Sequence, residues 1–160
     1  GGTGALAEAY RYNKLLDYYL EPIGIKYDLS LQDVRLLLCL EGTASPCSKR
    51  DLADRLGETS QGITHRLQKL AARGYLQTEE ALPGRQRWNS RKIKRMRITF
   101  LPDAEAILEE LRQAEAEDME LRLSGFTEEE KETYQRLTRK IDYNMQRVLS
   151  NYGSILSSEI

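Results

Sequence analysis

Between Glu58 and Leu76 the chain changes its period, and that change limits the folds open to it. Ile63, Leu67, Leu70 and Ala71 stand at i, i+4, i+7 and i+8, one face of an α-helix. The opposite face carries Gln61, Thr64, His65, Gln68 and Lys69, and no acid follows until Glu79. Thr59 or Ser60 is placed to cap this helix, and Gly74 to end it in a left-handed conformation. After Gly74 the period falls to two. Tyr75–Glu80 reads as a strand, Pro83 and Gly84 turn the chain, and Ile93–Phe100 reads as the return strand. On that return strand Met96, Ile98 and Phe100 share one side, and Arg95, Arg97 and Thr99 the other.

The stretch before Glu58 is helical and carries its own start and stop signals. Ser30 and Asp33 have capping-box spacing, with Leu29 and Val34 placed as a hydrophobic staple; Gly42 closes that helix. A short helix starts at Ser48, with Asp51 three positions on, buries Leu52, Ala53 and Leu56, and ends at Gly57. Two short helices joined by a tight turn, the second with a polar outer face, make a helix-turn-helix, and the basic hairpin after them is a wing.

Long helices flank this centre. Ala5 to Leu20 carries an apolar stripe widened by Tyr12, Leu15 and Tyr19, and Pro22 and Gly24 are expected to break it. Pro102 opens another helix, with Ala104, Ile107, Leu108, Leu111 and Ala114 on one face, and Gly125 interrupts it. Thr127 and Glu130 form a further capping box. Beyond it Tyr134, Leu137, Ile141, Met145, Val148, Leu149 and Tyr152 run along one face of a last helix. A winged domain of this size cannot cover all these stripes, so the same helices of a second copy are expected to do so. The expected architecture is mainly α with a small antiparallel β wing. A winged helix-turn-helix domain spans 30–100, the dimerisation region comprises 5–29 and 101–152, and residues 1–4 and 153–160 are tails.

Net charge is −1 over 160 residues and says little by itself, but its distribution is uneven. Residues 1–47 carry −2, residues 48–97 carry +8 and residues 98–160 carry −7. A basic middle between acidic flanks suits a module that binds a polyanion. No apolar run is long enough to span a membrane, and a cytoplasmic location is expected. A Gly-rich phosphate loop and a nucleophile–base pair are both missing, so no enzyme is expected. One histidine and two cysteines make a poor metal set, and no metal or cofactor is expected. Cys39 reads as inert core. Cys47 precedes a helix start beside Lys49 and Arg50, a setting that can lower a thiol pKa and makes it a candidate redox sensor.

The order of elements, with L-S-L-Q-D-V-R-L-L-L-C-L (29–40), K-R-D-L-A-D-R-L-G (49–57) and G-I-T-H-R-L-Q-K-L-A-A-R-G-Y-L (62–76), resembles the MarR family of bacterial transcriptional regulators. The resemblance covers nearly everything from Ala5 to Tyr152. It implies a homodimer on double-stranded DNA at a pseudo-palindromic operator, acting in transcription regulation as a repressor and released by a small, aromatic effector. On that reading Gln61, Thr64, His65 and Gln68 face base edges, and Ser60, Arg66 and Lys69 face phosphates. In the wing Arg85, Arg87 and Arg91 reach the minor groove, and Lys92, Lys94 and Arg95 meet phosphates. Arg87 matches the family's minor-groove arginine, but Arg85 stands where the family carries an Asp, so the carboxylate that orients that arginine is missing. The strand-to-helix junction also departs, reading Phe100-Leu101-Pro102-Asp103-Ala104 where the family has Leu-Thr-x-x-Gly. The alternatives are a winged-helix module that binds protein and a thiol-based redox-responsive regulator using Cys47.

Overall fold

The computed structural model describes residues 4–81 and 94–158, with side chains described as far as residue 149. The described elements are α1 (Ala5–Tyr27), α2 (Leu31–Glu41), α3 (Lys49–Leu56), α4 (Ser60–Ala72), β1 (Leu76–Glu80), β2 (Met96–Phe100), α5 (Glu105–Arg122) and α6 (Glu128–Ser158), with a 3-10 turn at Pro102–Ala104. They fall into two compact units, Gly1–Asp118 and Met119–Ile160.

The local signals act as the sequence predicts. At α2 the Ser30 hydroxyl accepts from Asp33 N at 3.1 Å, and the Asp33 carboxylate accepts from Ser30 N at 2.9 Å. Leu29 and Val34, the staple pair, are both buried. Ser48 caps α3 by accepting from Asp51 N at 3.0 Å, and Gly57 ends that helix at φ 65°. Thr59, not Ser60, caps α4, accepting from Gly62 N at 3.0 Å; Gly74 follows the helix at φ 80°. Ala71, expected on the buried face of α4, is exposed, while Ile63, Leu67 and Leu70 are buried.

The first helix departs from expectation, running through Pro22 and Gly24 to Tyr27. Proline forfeits one backbone bond, but Leu20 and Ile23 beside it are buried in the core, and that burial outweighs the lost bond. Gly24 stays helical and gives room for the chain to fold back over it. Asp28, at φ 54°, ends the helix instead.

In the first unit the core lies where α1, α2, α3, α4, β1 and α5 converge. Leu20, Leu36, Leu37, Leu52, Ile63 and Leu70 are fully buried there, joined by Leu76, Ile107 and Leu111. All five residues of the expected α5 stripe, Ala104 through Ala114, are buried. Strands β1 and β2 pair antiparallel, with Leu76 opposite Phe100 and Glu79 opposite Arg97. The sequence reading missed a third segment of this ladder. Cys47 bridges Met96, donating N–H to Met96 O at 3.0 Å and accepting from Met96 N at 2.8 Å. The loop before α3 is thereby tied to the base of the wing.

In the second unit the Thr127–Glu130 capping box forms as expected, with N–H to oxygen distances of 2.9 and 3.1 Å. Phe126 packs edge-on against Tyr134. Along α6, Leu137, Ile141, Met145, Val148 and Leu149 are all exposed. No described helix is long and apolar enough to cross a membrane.

Candidate nucleic-acid interface

Helix α4 is held by its apolar face, and that leaves its polar face outward. Ser60, Gln61, His65 and Gln68 are exposed and Thr64 is half-buried. The Thr64 hydroxyl donates to Ser60 O at 3.0 Å. The first turn of α4 contains no acid, so none of its own side chains offsets the positive end of its dipole.

Between this face, the start of α3 and the wing lies a groove of about 450 Å³. Thr64 and Gln68 line its α4 side, Lys49 and Arg50 its α3 side, and Lys94 and Arg95 its wing side. Glu79 and Glu80 also reach it, but the four cations outnumber the two carboxylates. Lys49 and Arg50 were not among the residues singled out from sequence. The available signal was the apolar face of α3: burying Leu52 and Ala53 leaves Lys49 and Arg50 exposed. The Cys47–Met96 bridge brings that turn beside Lys94 and Arg95, so a non-local strand pairing assembles this basic rim.

Two residues expected to face phosphates point elsewhere. Arg66 Nε donates to both oxygens of Glu58, at 3.0 and 3.2 Å, and its Nη1 donates to Asp33 Oδ1 at 3.3 Å and Ser30 Oγ at 3.3 Å. Lys69 Nζ donates to Asp33 Oδ2 at 2.5 Å. The Asp33 side chain has no solvent exposure. Burial pushes its carboxyl upward, but the hydrogen bonds from Lys69 and Ser30 outweigh that and hold it below the ordinary aspartate value. Burial likewise works against the Arg66 charge, and Glu58 and Asp33 outweigh it, leaving the guanidinium pKa raised. Asp33 was read from sequence only as a cap; its role as counter-ion depends on α4 crossing the start of α2.

Arg85, Arg87, Arg91 and Lys92, the remaining wing residues expected at DNA, lie outside the described residues, as does Trp88. Cys47 does not match the reactive setting expected of it. It is buried, and burial first, then Asp51 and Cys39, push its thiol up; Arg55 and Arg95 oppose this only weakly. The thiol-based alternative is therefore not favoured. Among the described residues no group of three His, Cys, Asp or Glu side chains is placed to hold a metal ion.

No family model matches the sequence, and no curated protein matches it. Solved structures do match in fold. A MarR-family transcriptional regulator from Silicibacter pomeroyi superposes with TM-score 0.69 at 16% identity, covering 88% of each chain. A MarR transcriptional regulator from Methanosarcina mazei Go1 gives 0.68 at 13% identity, over 92% of this chain and 94% of that one. A third, described as a MarR-family regulator from Listeria monocytogenes complexed with a 26mer DNA, gives 0.62 at 17% identity, over 88% and 87%. At such identities the likeness speaks for architecture, and it extends over nearly the whole chain: this protein has the winged-helix fold of the MarR family of transcriptional regulators.

Proposed function

We propose that the protein is a transcriptional regulator that binds double-stranded DNA as a homodimer. The observation that carries this reading is the acid-free outer face of α4, set in a groove whose rim is formed by Lys49, Arg50, Lys94 and Arg95. Two copies of α4 would enter successive major grooves of a pseudo-palindromic operator, with half-sites centred about 10 bp apart. Gln61, Thr64, His65 and Gln68 read base edges; glutamine pairs bidentately with adenine, and threonine meets a thymine methyl. Ser60, Lys94 and Arg95 set register on phosphates, and Arg85, Arg87, Arg91 and Lys92 extend the contact from the wing. Lys49 and Arg50 join the phosphate set from the start of α3.

The dimer reading is supported by α6, which presents Leu137, Ile141, Met145, Val148 and Leu149 to solvent in one chain. Residues Leu6, Tyr10, Tyr18 and Ile25 of α1 are exposed as well. A small aromatic effector releases the DNA by favouring a dimer whose two α4 helices no longer match the half-sites; this part rests on the family resemblance.

Selection of bound sites from random duplex DNA tests the reading, with the Gln61→Ala/Gln68→Ala double variant as control. The expected result is a two-fold-related motif that the variant no longer selects. Absence of any enriched motif for the unmodified protein would overturn the proposal.

A further inference from the structure

Helix α4 and its C-cap carry three cations, Arg66, Lys69 and Arg73, at i, i+3 and i+7, and all three are engaged within the protein. Arg66 and Lys69 converge on the buried carboxylate of Asp33. Arg73 Nη1 donates to the carbonyls of Tyr27 and Asp28 at the end of α1. This basic row lies on a different face from Gln61, Thr64, His65 and Gln68. It docks α4 on the start of α2 and the end of α1, and each contact supplies a different coordinate of the helix. Apolar packing by Ile63, Leu67 and Leu70 fixes depth but allows sliding and rotation, since hydrophobic contact is non-directional. Charge-assisted hydrogen bonds at 2.5 and 3.3 Å, donated by Lys69 and Arg66 to a buried carboxylate, are directional, and they fix rotation and register.

We propose that Asp33 is a positioning residue for DNA readout: by holding Arg66 and Lys69 it sets the rotation of α4 and withholds both cations from the DNA backbone. This rests on the DNA-binding reading above. Asp33 is an internal competitor for phosphate. Two cations that would otherwise add sequence-independent attraction are turned into a brace, and the phosphate contacts are left to Lys49, Lys94 and their neighbours at the rim. The consequence is selectivity. A regulator discriminates by the ratio of specific to non-specific affinity; the brace holds the readout face of α4 in place for the former and removes two cations from the sequence-independent attraction that supplies nearly all of the latter.

The experiment measures the dependence of binding on salt, log Kobs against log salt, for the selected operator and for a scrambled duplex. The full chain is used throughout. Each phosphate contact contributes a slope of about 0.9. Lys49→Gln and Lys94→Gln are expected to lower the slope by about that amount each, and Lys69→Gln to leave it unchanged. Asp33→Asn, which keeps the shape of the cap, is expected to steepen the slope by about one to two. It should also tighten binding to the scrambled duplex and cut the operator-to-scrambled ratio about tenfold or more. Adding Lys69→Gln to Asp33→Asn should take back about 0.9 of the slope. A purely structural role for Asp33 would move none of the slopes.

A slope that falls with Lys69→Gln alone, as it does with Lys49→Gln, identifies Lys69 as a phosphate contact and overturns the inference while leaving the DNA-binding reading intact. Unchanged slope and ratio in a folded Asp33→Asn variant overturn it equally. If Asp33→Asn does not fold, the Lys69→Gln slope decides. Absence of DNA binding by the unmodified protein overturns both readings together.

Discussion

The backbone of Leu29 lies directly against Gly24: its N–H donates to Gly24 O at 2.8 Å, and its carbonyl oxygen sits 2.7 Å from where a Gly24 Cβ would stand. The end of α1 closes onto itself through this approach and delivers Ser30 to cap α2. A glycine within a helix ordinarily gains about 1 kcal/mol on replacement by alanine. Here the obstacle is backbone, which cannot rotate away, and overpacking of this kind costs about 1–3 kcal/mol. Gly24→Ala is therefore expected to lower stability by about 1 kcal/mol, read by urea denaturation.

Gly57 provides the contrasting case. It stands at φ 65° in the helix-turn-helix corner, with nothing within 4 Å of the place a Cβ would occupy. Gly57→Ala meets only backbone strain and is expected to cost about 1 kcal/mol, while Gly57→Asn costs less because asparagine tolerates the left-handed region. Comparing the two variants by denaturation separates strain from crowding, since Asn at position 24 would be worse than Ala.

Acid stability reports on Asp33. Its carboxyl is held below the ordinary value, so the unfolded chain takes up a proton at higher pH than the folded one. The stabilisation from Asp33 is fully present above the unfolded pKa of about 3.9 and is lost as pH falls through the depressed folded value. Urea midpoints measured between neutral pH and about pH 3 should fall more steeply for the unmodified protein than for Asp33→Asn. Parallel curves would contradict the assignment.

The Cys47 thiol is expected to be unreactive in the folded protein. With 6% exposure and a raised pKa it is neither accessible nor ionised near neutral pH. Alkylation of Cys47 followed by mass spectrometry should be roughly tenfold or more slower in buffer than in urea. Equal rates in the two conditions would restore a redox reading.

Ile141→Glu places a charge in the exposed stripe of α6, where Ile141 is 56% exposed in one chain. If a second copy covers this stripe, sedimentation should change from dimer to monomer with the circular dichroism of the winged unit retained. A monomeric unmodified protein would remove the dimer from the proposal.

What the sequence by itself determined is local. The caps at Ser30, Ser48 and Thr127, a cap for α4 at Thr59 or Ser60, the stops at Gly57 and Gly74, and the switch from helical to strand period after Gly74 depend on neighbours within four residues. The outward face of α4 follows as well, because burying Ile63, Leu67 and Leu70 leaves Gln61 and Gln68 no other direction.

Only the tertiary structure decided the rest, and each case involves partners far apart in the chain. Helix α1 passes Pro22 because Leu20 and Ile23 gain more from burial in the core than one missing hydrogen bond costs. Cys47 joins Met96 across the wing because the α3 loop supplies a pairing edge that no period reveals. Arg66 and Lys69 turn inward because Asp33, more than thirty residues earlier, is a buried anion within reach. Spacing places a side chain on a face of its own helix, but charge pairing depends on what another helix lays against that face.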